Sequence, residues 1–148
     1  MASGVYNEGA ESLTDGTIDF LTDAGVKIML LLSSYTFDKD HAALTTLAAD
    51  VVTVSGYTGG FNGAGRKALG SKTVAKNDTT DRVVFDAADP SAWTLATGET
   101  VGGAAIIREN TNDAGSTPLF FLDFADTPTN GGTFTVAFDA AGIAYLQQ

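Results

Sequence analysis

A chain of 148 residues with no cysteine and a net charge of −10 can bury one core of its own, roughly 70% of the surface its unfolded form exposes. It excludes disulfides, thiolate nucleophiles and cysteine-ligated metals. The acidity disfavours contact with nucleic-acid phosphates, and the longest apolar run, Val26 to Leu32, is far shorter than the ~20 residues of a membrane span. The opening MASGVYNEGAE has neither the cationic start nor the apolar stretch of a secretory signal, so export by that route is not expected.

In chain order, SGVYNEGAESL reads as a short helix capped by Ser3, with Gly9 as an interior cost of about 1 kcal/mol relative to alanine. TIDFLT reads as a short strand after the turn TDG. VKIMLLLSSYTF, an unbroken apolar run bounded by turn signals, reads as a strand buried on both faces. DKDHAALTTLAAD places Ala43, Leu44, Leu47 and Ala48 on one stripe behind Asp38, the pattern of a helix of two to three turns. VVTV reads as a short strand leading into GYTGGFNGAGRKALG. From Lys72 onward the signals are those of hairpins, with strands near SKTVAK, RVVFDA, AWTLA, GGAAIIRE, PLFFLDF, TFTVAF and IAYLQ. Turn-forming ADPS, ATGET, NTNDAGSTP, DTPTNGG and DAAG join them. The expected fold is mainly β, one antiparallel sandwich or strongly bent sheet over residues 1–148, with one or two short helices from the N-terminal third.

Charge is unevenly spread. Residues 66–82 carry Arg66, Lys67, Lys72, Lys76 and Arg82 against Asp78 and Asp81, while the flanking parts are acidic throughout. Directly before this basic window stand six glycines in the fifteen residues from Gly56 to Gly70. A phosphate-binding P-loop is excluded: Gly60 and Gly65 have its spacing, but Arg66 and Lys67 occupy the positions of the lysine and the Ser/Thr. Gly63, Gly65 and Ala68 fit a dinucleotide fingerprint, with Asp81 or Asp86 at about the distance of a ribose-binding acid. Only RKAL follows before Gly70, however, where that fingerprint needs a substantial helix. Residues 56–82 are therefore read as a flexible, glycine-rich and basic surface segment.

His41, the single histidine, lies between Asp38 and Asp40 and reads as a solvated residue, since no G-x-S-x-G elbow accompanies it. The loop ENTNDAGS at 109–116 is rich in calcium-type oxygens but lacks the EF-hand glycine and distal glutamate, and reads as a hairpin loop. Trp93 and the phenylalanines of PLFFLDF fit a core or an interface better than a sugar platform. No catalytic residue, cofactor or metal is expected.

The runs SKTVAKNDTTDRVVFDAADPSAWTLATGETVGGAAIIRE and PLFFLDFADTPTNGGTFTVAFDAAGIAYL, with NEGAESLTDGTIDFLTDAGVKIMLL before them, resemble a family of small, cysteine-poor virion proteins of tailed bacteriophages. The order KTV…D…FDA…W…GG…TPTNGG carries the resemblance, and Phe20 departs from it where tryptophan is more usual. The resemblance implies a structural protein made in the host cytoplasm and placed on the capsid exterior. It would act as a decoration (cement) protein, bound to the major capsid protein and self-associating as a homotrimer, with no direct contact to nucleic acid or membrane. Gly59, Gly60, Phe61, Asn62, Gly63, Arg66, Lys67, Lys72, Lys76 and Arg82 are the candidate capsid or subunit contacts. Removal of residues 56–70 is then expected to leave a folded chain that binds capsids poorly. The alternatives are a tail-associated, fibre-base or glycan-binding virion module and, last, a nucleotide-binding enzyme.

Overall fold

Val26–Leu32 forms strand β2, and its apolar run is continuous because both of its faces are covered. A computed structural model of the chain describes residues 2–60 and 63–147. Strand β2 sits within a five-stranded antiparallel sheet built with β1 (Ala2–Val5), β3 (Lys67–Ala68), β7 (Thr100–Arg108) and β8 (Thr117–Pro128), in the order β1-β8-β7-β2-β3. Residues 101–107 of β7 and 118–122 of β8 are buried, so this hairpin and β2 supply most of the core. A second sheet has the order β10-β5-β4, from β4 (Thr73–Asn77), β5 (Arg82–Asp86) and β10 (Ala144–Gln147). Short β6 (Trp93–Thr94) and β9 (Thr133–Phe134) pair with each other. The fold is mainly β, antiparallel and sandwich-like, as the hairpin pattern implies.

Three phenylalanines join the two larger sheets. Phe20 meets Phe85 edge-on at 5.3 Å and Phe120 at 6.1 Å, and Phe85 lies 5.1 Å from Phe120, the offset and edge geometries that aromatic quadrupoles favour. Phe20 holds this place from a turn, not a strand: Asp15 accepts from the Thr17 N–H and Asp19 from the Leu21 N–H and the Thr22 hydroxyl. Such Asx turns compete with strand pairing, which is why TIDFLT does not extend. The Asp38 side chain likewise accepts from the Asp40 N–H, and the helical run begins only at a 3₁₀ helix, Leu44–Asp50. Its two buried residues, Leu44 and Leu47, lie three apart, the spacing a three-residue turn places on one face. VVTV contributes one bridge, Leu31 to Val51, because Glu99 instead takes the Thr53 and Val54 N–H groups. In TFTVAF the alternation of burial holds, yet only Thr133 and Phe134 enter a ladder.

The N-terminal helix, α1, spans Asn7–Thr14 and follows β1, in which Ser3 stands opposite Leu122 and is not the cap. Tyr6 precedes the helix, fully buried, and its hydroxyl lies 2.8 Å from that of Tyr35. Gly9 is where α1 meets β8: a Cβ there would stand 2.6 Å from the Leu119 Cα and from the Pro118 carbonyl oxygen. The glycine is a contact requirement. Gly9→Ala is expected to destabilise the chain by at least ~1 kcal/mol despite the better helix propensity of alanine, because overpacking against backbone outweighs it. A lower midpoint in urea unfolding is the check.

Candidate functional site

The basic window divides into cations used inside the molecule and cations left at its surface. Arg66 belongs to the first group, with a side chain only 1% exposed. Its Nη1 donates to Glu109 Oε1 at 3.1 Å and Asp113 Oδ1 at 3.0 Å, and Nη2 donates to Asp113 Oδ2 at 3.2 Å. Lys27 on β2 pairs with the other oxygen of Glu109. Burial pushes the Glu109 carboxyl up, but the hydrogen bonds from Lys27 and Arg66 outweigh that and hold it below the usual carboxylate range. The loop at 109–116 thus directs its acids inward to a guanidinium. Its Asn112 side chain accepts from the Gly115 N–H, closing the turn.

Lys67 donates to Ser91 Oγ at 2.9 Å and the Ala92 carbonyl at 2.6 Å, and its ammonium lies 4.6 Å from the centre of the Trp93 ring. Partial burial lowers its pKa. Lys72 donates to the Asp23 carbonyl, beside the ion pair of Asp23 with Arg108. Lys76 remains exposed on the β4–β5 hairpin, and Arg82 beside it is half-buried, with its Nε enclosed. Lys76 pairs with Asp78 at 2.7 Å with both side chains exposed, and the Arg82 guanidinium lies 4.1 Å over the exposed Tyr145 ring.

Gly56, Gly59, Gly63 and Gly65 answer to packing, while Gly60 and Gly70 have open space where a Cβ would stand. Tyr57, 2% exposed, accepts the Leu30 N–H at 3.0 Å, and burial pushes its hydroxyl up to about 12. Its ring lies against Gly65, where a Cβ would come within 2.5 Å of it, and the Trp93 indole donates to the Gly65 carbonyl at 2.6 Å. The chain after Gly65 enters strand β3, not the helix that would carry a pyrophosphate. Gly59 and Gly60 are half-buried beside the 3₁₀ helix, and Gly63 packs on the Thr58 carbonyl. Phe61 and Asn62 lie outside the described residues. With Tyr57, Arg66 and Leu69 buried, the described residues of 56–70 are built into the fold. This corrects the expectation that the segment can be removed from a chain that stays folded.

His41 faces the interior through a relay, its Nδ1 3.1 Å from the Tyr35 hydroxyl that reaches Tyr6. Among the described residues no group of three His, Cys, Asp or Glu side chains is placed to hold a metal ion. No helix among them is long and apolar enough to cross a membrane.

The structure adds surface residues that the basic window did not single out. Leu21, Val74, Val83 and Tyr145 are the exposed large hydrophobics among the described residues, and three of them lie on β4, β5 and β10. Valine and tyrosine fit a covered strand face as well as an open one, so the sequence does not distinguish the two. Opposite faces of this sheet line two grooves. One, of about 600 Å³, is bordered by Thr73, Asn77, Arg82, Asp86, Asp139 and Tyr145. The other, of about 560 Å³, is apolar and bordered by Leu13, Phe20, Leu21, Val74, Val83 and Leu146. Comparison of the chain with protein-family models, curated proteins and solved structures finds no match.

Replacing Arg66 by alanine leaves Glu109 with Lys27 alone and takes the guanidinium from Asp113, and is expected to cost about 3–5 kcal/mol, the loss found when one partner of a buried pair is removed. The Glu109 contribution is present above the unfolded glutamate pKa of about 4.3 and is lost as pH falls through the lower folded value. Urea unfolding at a series of pH values is therefore expected to show Glu109→Gln less stable at neutral pH, with a shallower acid loss than the parent chain.

Proposed function

We propose that this chain is a structural virion protein of a tailed phage, decorating and stabilising the outer capsid surface, with the major capsid protein as its partner. It acts by binding, without a catalytic step. The observation that carries the docking assignment is the Arg82–Tyr145 pair, a cation stacked on an exposed ring beside a groove of about 600 Å³. Arginine and tyrosine are the residue types that dominate binding energy at protein interfaces. Their setting is mixed in charge, with Asp86 and Asp139 on the same groove, which suits a polar segment of a neighbouring subunit. The resemblance of the chain to small phage virion proteins supports the same reading. In a shell, many equivalent copies make modest individual affinity sufficient for dense coverage.

Purified protein added to shells that lack it is expected to cosediment with them, and cryo-EM of the loaded particles to place the chain on the capsid exterior. Tyr145→Ala, at a position 41% exposed and so tolerant of truncation, is expected to weaken binding about tenfold or more without lowering thermal stability. Density at the tail with bare shells would instead favour a tail-associated module.

A further inference from the structure

Strand β4 is the edge of its sheet, and all five of its residues, Thr73 to Asn77, are exposed. An uncovered edge presents a row of N–H and C=O groups to any strand that can align with it. On one face beside this edge lies the apolar groove, with Leu21 48%, Val74 38% and Val83 39% exposed. Unpaired backbone and uncovered apolar surface therefore occur together, at one place.

We infer that this edge is a self-association surface, on which β4 of a second copy pairs antiparallel about a two-fold axis through Ala75. The charge pattern selects both the occupant and the register. With Ala75 opposite itself, Thr73 faces Asn77, Val74 faces Lys76, and Lys72 comes alongside Asp78 of the second copy, each twice over. All five strand residues are then paired. A two-fold axis normal to the sheet keeps like faces together, so the register moves in steps that re-centre it on a neighbouring residue. Centring on Val74 sets Lys72 against Lys76, and centring on Lys76 sets that lysine against its own copy. Like charges directly opposite are destabilising. Lys76, a common guard of strand edges, thus rejects the slipped registers and allows the central one, where its alkyl stem lies on Val74.

In this arrangement two three-stranded sheets become one of six strands, and the two apolar grooves adjoin on the same face. The symmetry is two-fold, in contrast to the homotrimer that the family resemblance implies. The edge borders the Arg82–Tyr145 groove at Thr73 and Asn77, but the inference does not depend on the decoration reading. Its test needs no capsid.

Multi-angle light scattering and sedimentation of the full chain are expected to give twice the mass of 15.2 kDa, dissociating on dilution. Val74→Lys, which opposes two lysine pairs in the central register, is expected to raise the dimer dissociation constant at least tenfold. Val74→Glu, which opposes Lys76 twice with the opposite charge, is expected to bind as tightly as the parent or more so. At concentrations low enough to leave all three proteins monomeric, both variants keep the parent melting temperature, since Val74 is exposed. A monomer at every concentration, three times the chain mass, or equal behaviour of the two variants overturns the inference.

Discussion

A buried arginine needs carboxylates within reach, and much of this fold is arranged to give Arg66 two of them. The guanidinium stands between the segment before β3 and the connection from β7 to β8, and Glu109 extends the contact to Lys27 on β2. Three stretches far apart in sequence are held in register by one cluster. An unpaired ion in such a place would cost several kcal/mol, so each partner depends on the others. Tyr57 and Trp93 close around the same stretch through the Leu30 N–H and the Gly65 carbonyl. Glycine-rich chain that would otherwise be free of the core becomes part of it.

One consequence is a change in what the basic window means. Five cations in seventeen residues look like a surface feature when read along the chain. In space Arg66 is enclosed by acids, Lys67 lies on Trp93, and Lys72 is bound to the Asp23 carbonyl. Lys76 and Arg82 are left, on a hairpin whose exposed valines and tyrosine add apolar surface to the charge. The three-stranded sheet thereby has two unlike faces and an open edge. Its polar face offers a cation stacked on a ring, and its apolar face lies beside a strand with unpaired backbone. The packed Phe20, Phe85 and Phe120 fix that sheet to the main one, so the surfaces stand on a rigid support.

How far the fold was legible follows from where each signal comes from. An unbroken apolar run marked β2, and β-branched and aromatic runs between turn formers marked β4, β5, β7, β8 and β10, because these depend on neighbours in sequence. The helix from Asp38 was misread because an aspartate suited to a cap also closes a local turn, and the strand at TIDFLT failed for the same reason. Gly9 looked like a defect in a helix until β8 was found against it. Of the candidate contacts, Lys76 is exposed, Arg82 half-buried and Arg66 buried. Burial of a long cation depends on acids more than forty residues away, which local pattern does not register.

The sequence by itself determined a cysteine-free, acidic, antiparallel β chain with short helical pieces at its start, and it ruled out a P-loop by the residues at two positions. These are properties of composition and of spacing along the chain. Only the tertiary structure decided that Gly9, Gly63 and Gly65 serve close packing, that the basic window is mostly neutralised within the molecule, and that β4 is an open edge beside apolar surface. Each of those depends on which distant residues meet, since a charge or a strand edge is free or satisfied according to its partner in space.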